Sequence, residues 1–366
     1  MWAKLGVDLK QEVVVVKVGG SLIRKPQDID TILRLLREKI LIDTTPVIVV
    51  SAIKGITDLL ISLCNGEKGS LDLVIEIHRN FAISLGIEEF YRKYGSTLEE
   101  ELVRYGSRCA EDPKARDRIL SVGERFSAPL LAEMIRGMGY RAYVAWPWEI
   151  GLVTDDKFGD SSPILSTALP NIASSISKMI LDRYIPVIPG FIGATQTGDI
   201  TTMGRGSSDL TAVLVARALR TPKLYLFTET PGIMTADPKI VPSARTVETM
   251  DIAEAERASR YRVKGLNRKT FEYIGDYEGE ILVLDLFMRG TKICKTCKKI
   301  GVKVIVPFNE GASIIGWGSG KLLPEVFNRL VMDYRVGYYD DLEATIYSRI
   351  DPNDLVKEIH RQVFGS

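Results

Sequence analysis

Val13-Val14-Val15-Val16-Lys17-Val18-Gly19-Gly20-Ser21 opens the interpretable part of the chain. An apolar, β-branched run of strand length is broken by one lysine, stops at two glycines, and gives way to helical spacing over 26–40. That is strand, tight turn, helix. The unit returns at once: Pro46-Val47-Ile48-Val49-Val50 reads as a buried strand, Ser51-Ala52-Ile53-Lys54-Gly55 as a turn, and 56–64 has helical spacing. Such alternation implies an α/β fold with a mainly parallel sheet covered by helices.

Outward from these two units, helical patterns dominate 71–139, strands return at 140–145 and 184–188, and Thr197-Gly198-Asp199 marks a turn before 200–203. A helix over 209–219 precedes an apolar strand over 223–228. After 289 the texture changes. Residues 291–299 are basic and contain cysteine, and a smaller series comes next, with strands at 302–306, 312–317 and 342–349 and helices at 322–332 and 354–364. A domain boundary is placed near Gly290, separating 1–290 from 291–366.

The 366 residues, 45% apolar and 26% charged, suffice for a full core in a large and a smaller domain. With 48 basic against 47 acidic residues, no global field draws the chain to nucleic acid or an anionic membrane. Residues 1–10 carry charges early and no apolar stretch of signal or spanning length, so a cytoplasmic location is expected. Few Asn and Gln beside many charges point towards a thermophile. Cys64, Cys109, Cys294 and Cys297 are too few and too unevenly spaced for a secreted disulfide framework, so reduced thiols are expected. A single Cys-x-x-Cys is only half of a structural zinc site, and no metal ligands are assigned. The two histidines, His78 and His360, lie on amphipathic helical stretches, which argues against Ser-His-Asp hydrolases and His-based metalloenzymes.

Three glycine-bearing turns at strand ends carry the chemistry. In Lys17-Val18-Gly19-Gly20-Ser21, glycines let backbone N–H groups approach an anion, and a lysine inside an apolar strand requires a partner such as phosphate. Met203-Gly204-Arg205-Gly206-Ser207-Ser208-Asp209 runs into a helix whose free N–H groups face any ligand there. Arg205 can fork onto a carboxylate, and Ser208 or Asp209 can equally be a plain N-cap. Thr228-Glu229-Thr230-Pro231-Gly232-Ile233-Met234-Thr235-Ala236-Asp237-Pro238-Lys239 again follows an apolar strand. Parallel sheets bind ligands at the carboxyl ends of their strands, so the three turns favour one shared ligand.

These turns, together with Val50-Ser51-Ala52-Ile53-Lys54-Gly55-Ile56-Thr57, Ser121-Val122-Gly123-Glu124 and Gly190-Phe191-Ile192-Gly193, resemble the aspartokinases, in that family's order and over about residues 13–270. The resemblance implies the amino acid kinase fold, a three-layer αβα sandwich, followed by a small α+β, ACT-like βαββαβ module. It implies ATP with Mg²⁺ as cofactors and L-aspartate as substrate. Lys17, Gly19, Gly20 and Ser21 match the phosphate-binding strand end. Thr228, Glu229, Met234, Lys239 and Lys264 match the nucleotide site, and Ser51, Thr57, Glu124, Arg205, Ser208 and Asp209 match positions that hold aspartate or organise the lysine. Lys17, Asp209 and Lys264 are the catalytic assignments. Val18, Glu229, Met234 and Asn267-Arg268 depart from the family's usual Phe, Asp, Tyr and His-Pro.

The chemistry agrees with that assignment. A carboxylate of pKa about 3.9 is ionised at neutral pH, so its attack on a γ-phosphorus needs no general base. Alignment and relief of negative charge are what remain, supplied by lysines and backbone N–H groups. The expected reaction is phosphorylation of the aspartate β-carboxylate to 4-phospho-L-aspartate, the first step towards lysine, threonine and methionine. Two alternatives stay open: an acetylglutamate- or glutamate-kinase type enzyme, and a non-catalytic regulatory homologue that binds amino acids. About 75 residues after Gly290 leave room for one ACT-like module where the family commonly has two. Residues 334–343 look short for its central strand pair. The tail is expected to serve a homodimer or higher homo-oligomer and to be insensitive, or altered in sensitivity, to lysine or threonine.

Overall fold

The computed structural model describes residues 11–321 and 334–365, in two compact units, 1–227 and 228–366. Residues 1–10 and the expected helix over 322–332 lie outside the described residues.

In the first unit the strands are β1 (Glu12–Val18), β2 (Thr44–Val50), β3 (Ala142–Val144), β4 (Ile185–Pro189), β5 (Ile192–Ala194), β6 (Ile200–Thr202) and β7 (Lys223–Phe227). Five form a parallel ladder in the order β3-β4-β2-β1-β7. Val13 to Val16 and Val47 to Val50 are all buried, which is why these strands read as unbroken apolar runs rather than alternating ones. β5 and β6 make a separate antiparallel hairpin.

The helices of this unit are α1 (Pro26–Leu35), α2 (Ile56–Cys64), α3 (Ser70–Ser84), α4 (Glu88–Phe90), α5 (Ser96–Gly106), α6 (Pro113–Leu120), α7 (Val122–Gly137), α8 (Leu165–Leu181) and α9 (Ser208–Leu219). α8 and α9 pack together and onto β1, β2, β4 and β7, while α1 and α7 pack together, with α7 on β2, β3 and β4. This is the expected layered α/β arrangement. The helix expected over 26–40 stops being α-helical at Leu35 and closes with a π turn, Leu36–Ile40.

The second unit contains β8 (Thr249–Asp251), α10 (Ile252–Ser259), α11 (Arg268–Glu272), β9 (Glu280–Leu284) and β10 (Gly290–Cys294), with β10 antiparallel to β9 and parallel to β8. Gly290, where the sequence changes texture, begins β10. Next along the chain come β11 (Val304–Phe308), β12 (Gly311–Ile315), β13 (Tyr334–Tyr339), β14 (Glu343–Ser348) and α12 (Pro352–Phe364). These four strands form an antiparallel sheet in the order β11-β12-β14-β13. Of the stretch that looked too short, 334–343, the structure makes β13 and the first residue of β14, whose strand was expected over 342–349; the turn between the two needs few residues, the Asp340 carboxylate accepting from Leu342 N at 2.8 Å and Glu343 N at 2.7 Å.

The apolar core of this sheet includes Ile305, Ile314, Ile346 and Ile359, and also Ala236 from the third glycine-bearing turn and Val241 just after it. That turn is therefore built on the C-terminal sheet. Ile305 N donates to Thr235 O at 2.8 Å, and Thr235 Oγ1 meets His360 Nε2 at 2.9 Å.

The expectation of reduced thiols is corrected: Cys64 is bonded to Cys109 and Cys294 to Cys297, with none left free. Spacing concealed the first pair, because its partners, 45 residues apart, meet only where α2 packs beside α6. Among the described residues no helix is long and apolar enough to cross a membrane.

Candidate active site

Lys17 is the penultimate residue of β1, in register with Val49 and Leu226 of its neighbours. An ammonium in that apolar ladder needs a partner. Asp209, in the first turn of α9, supplies it: Lys17 Nζ and Asp209 Oδ1 are 2.6 Å apart, with both side chains largely buried. The two glycines after it set the approach distance. A Cβ on Gly19 would lie 3.1 Å from Lys17 Nζ and 3.2 Å from Phe227 O, and one on Gly20 only 2.5 Å from Ala52 O. Ser21 sits in the short 3₁₀ turn Gly20–Leu22 directly behind them.

Gly20→Ala therefore forces the end of β1 away from the Ser51-Ala52 turn. Thermal unfolding is expected to show a loss of about 1–3 kcal/mol, together with weakened turnover. Gly137→Ala, where an added Cβ meets nothing within 4 Å, serves as the neutral control. A Gly20→Ala protein as stable as that control would refute the close-approach argument.

Ala52 joins this glycine turn to Glu124. Its carbonyl faces Gly20, and its N–H donates to Glu124 Oε1 at 3.0 Å. Glu124 lies in the first turn of α7, only 3% exposed, drawn close because Gly123 has no Cβ to meet that of Ala52. Its second oxygen, Oε2, is buried without a hydrogen-bond partner. Burial pushes the Glu124 carboxyl up to about 8. A buried carboxyl with one oxygen left unpaired has the chemistry to accept a cation or a donor there.

Ser51 donates its N–H to Val18 O at 3.1 Å, at the same strand ends. Thr57 is in the first turn of α2, after Gly55 in the left-handed conformation (φ 89°). Arg205, between Gly204 and Gly206, is exposed and pairs with Asp58 at 2.8 Å, next to Thr57. An exposed pair of this kind contributes at most about 1 kcal/mol, so Arg205 can exchange Asp58 for a ligand carboxylate. Ser208 is buried, and its approach to β4 depends on Gly190, whose Cβ would fall 2.7 Å from Ser208 Cβ. The N-cap position belongs to Ser207, without a side-chain cap bond, which leaves Ser208 and Asp209 available for other contacts.

Two residues to which the sequence assigned no role hold the Arg205 turn in place. Phe191 adopts φ 69°, a left-handed conformation in a non-glycine residue, and its carbonyl accepts from Met203 N at 2.9 Å and Ser207 Oγ at 3.4 Å. Asp117, fully buried, accepts from Gly159 N at 2.9 Å, Thr202 N at 2.7 Å and Thr202 Oγ1 at 2.9 Å, pinning β6 just before the Arg205 turn. Flanked by Arg116 and Arg118, it reads in sequence as a solvent-facing helix residue. A positive φ at a phenylalanine has no sequence signal beyond the glycines on either side.

The remaining assignments lie in the second unit. Lys264 Nζ is 2.5 Å from Glu229 Oε1, with side-chain exposures of 59% and 33%. Met234 and Lys264 line a cavity of ≈ 180 Å³ together with Asp237, Pro238, Tyr261 and Val306, among others. Thr228, whose N–H donates to Leu284 O at 2.8 Å, lies outside its wall, as do Glu229 and Lys239. Lys239 is exposed, with its N–H on Asp237 Oδ1 at 2.9 Å.

Among curated proteins, the chain is 32% identical over 271 residues to lysine-sensitive aspartokinase 3 of Escherichia coli, covering 71% of this chain and 58% of that one. It is 26% identical to an aspartokinase of Rickettsia felis, with coverages of 76% and 59%. It thus spans less than two thirds of the length of these relatives. Among solved structures, E. coli aspartokinase III in complex with aspartate and ADP matches with a TM-score of 0.84 at 21% identity, over 96% of this chain and 100% of that one, a likeness of fold. The family model described as the amino acid kinase family matches residues 12–285. With three quarters of its length under that model and the strand-end turns in place, the chain belongs to the amino acid kinase family.

Proposed function

We propose that the protein transfers the γ-phosphoryl group of ATP to the β-carboxylate of L-aspartate, giving 4-phospho-L-aspartate and ADP. The observation that carries this reading is Glu124: a buried, half-satisfied carboxylate beside the Gly19-Gly20 turn is where an amino acid's ammonium is received. The named relatives, aspartokinases all, support it.

Each group then has a task. Glu124 takes the ammonium and Arg205 the α-carboxylate, with Ser51, Thr57 and Ser208 as neutral donors around them, so that the β-carboxylate is left to react. The nucleophile is already ionised, and no residue has to remove a proton. Lys17, held by Asp209, meets the negative charge spread over the transferring phosphoryl oxygens, aided by the N–H groups at Gly19, Gly20 and Ser21. Thr228, Glu229, Met234, Lys239 and Lys264 are assigned to the nucleotide. Lysines and backbone N–H groups suit phosphate oxygens. Mg²⁺ belongs in this proposal to the triphosphate, whose charge it neutralises.

We assign the antiparallel sheet β11-β12-β14-β13 with α12 to the ACT-like module, serving homo-oligomer contacts, and the protein to the cytoplasm. The test is ADP release with a panel of acceptors, the acyl phosphate being trapped by hydroxylamine. Turnover is expected with aspartate. Turnover with acetylglutamate or glutamate instead would replace the substrate, and amino-acid binding without ADP formation would replace the enzyme by a regulatory homologue.

A further inference from the structure

Glu343, at the start of β14, is 4% exposed and far in sequence from every residue assigned above. A buried carboxylate is retained only where donors satisfy it, and three converge here. Arg257 Nη1, from α10, donates at 2.6 Å; Ser313 Oγ, from β12, donates at 2.6 Å; and the Tyr261 hydroxyl donates to Oε1. Arg257 also reaches Asp340 through Nη2 at 3.0 Å. A second tie lies at the other end of α10, where Glu254 Oε1 accepts from Trp317 N at 3.0 Å. The segment 254–261 is therefore fastened to the C-terminal sheet at both ends.

The anchor matters because of where the chain runs next. Tyr261, Arg262, Val263 and Lys264 are consecutive wall residues of the ≈ 180 Å³ cavity, facing Met234 and, from β11, Val306. Arg262 holds φ 56°, a left-handed conformation that is strained in a non-glycine residue, so the stretch keeps this path only while its flanks are held. Burial and then the neighbouring carboxylate push the Tyr261 hydroxyl up to about 12, which keeps it a donor throughout the working pH range.

We propose that Glu343 is a positioning residue for nucleotide binding: by holding Tyr261 and Arg257 it fixes the 262–264 stretch, so that the C-terminal sheet sets affinity for the nucleotide while leaving aspartate recognition alone. This rests on the reading of Met234 and Lys264 as nucleotide-site residues. The sheet then acts as a wall of the nucleotide site, and a change in the β13–β14 turn reaches the cavity through Asp340, Glu343 and Arg257.

Steady-state kinetics of the full chain, with ADP titrated calorimetrically, test it. Glu343→Gln is expected to raise KM for ATP and Kd for ADP about tenfold, with KM for aspartate within about twofold, and Glu343→Asp to recover part of the loss. Tyr261→Phe, which leaves the Arg257–Glu343 pair intact and guards against misfolding of the first variant, should give a smaller shift of the same kind. Melting temperatures are recorded for all three. Unchanged ADP affinity in a folded Tyr261→Phe protein, or equal rises in both KM values, overturns the proposal. Wild-type protein that takes up no ADP overturns the nucleotide-site reading beneath it as well.

Discussion

Lys17→Ala is expected to lower kcat by about a thousandfold while KM for aspartate changes little, because the ammonium meets charge that develops on the phosphoryl oxygens in the transition state. The same substitution strips Asp209 of its partner at 2.6 Å, in a largely buried setting, and should destabilise the protein. These two effects separate cleanly. Adding Asp209→Asn to Lys17→Ala removes the unpaired charge and should return most of the lost melting temperature, yet restore none of the turnover. ADP release within about tenfold of wild type from the single variant would remove Lys17 from the chemistry. Recovery of activity alongside stability in the double variant would make its role structural.

Glu124→Gln is the second large effect. Glutamine keeps the oxygen that accepts from Ala52 N but cannot pair with an ammonium, so kcat/KM for aspartate should fall about a hundredfold at pH 8. The pH dependence supplies a stricter check. The ligand-free carboxyl is raised to about 8 by burial, and only its ionised form attracts the ammonium, so wild-type kcat/KM for aspartate should climb towards pH 8 and level above it. The glutamine variant should be flat over that range.

Stability moves the opposite way. A carboxyl that binds its proton more tightly folded than unfolded contributes stability fully present below its ordinary value of 4.5, and loses that contribution as pH rises through about 8. The ligand-free wild type should therefore lose melting temperature from pH 6 to 9 more steeply than Glu124→Gln. Parallel melting curves, or a variant whose aspartate dependence keeps the wild-type climb, would exclude Glu124 as the ammonium receptor.

Much of the first unit was legible before folding. β1 and β2 declare themselves because both faces are covered, leaving no polar alternation to confuse with a helix, and Lys17 stands out because an apolar strand has no use for a cation unless something pairs with it. Elsewhere local pattern failed. β8, β9 and β10 are short, and β9 and β10 keep polar residues, Glu280 and Lys292, that pair with each other at 3.0 Å; in sequence such strands resemble loops. The 291–299 stretch reads only as basic and cysteine-containing, although Gly290–Cys294 is a strand. β14 lies where a strand was expected, over 342–349, whereas β13 had no sequence signal, since nothing local reveals that one aspartate closes the turn between them.

From the sequence alone came the parallel α/β architecture, the strand-end glycine turns, and the residues Lys17, Arg205 and Asp209, because backbone period and the steric freedom of glycine are properties of short stretches. Only the tertiary structure decided that Glu124 lies in a low dielectric with one oxygen unpaired. It alone decided that Asp117 pins β6, that Cys64 meets Cys109, and that Glu343 anchors Tyr261. Each of these depends on which groups, tens of residues apart, are withdrawn from water together, and desolvation is set by the packed neighbourhood rather than by the residue.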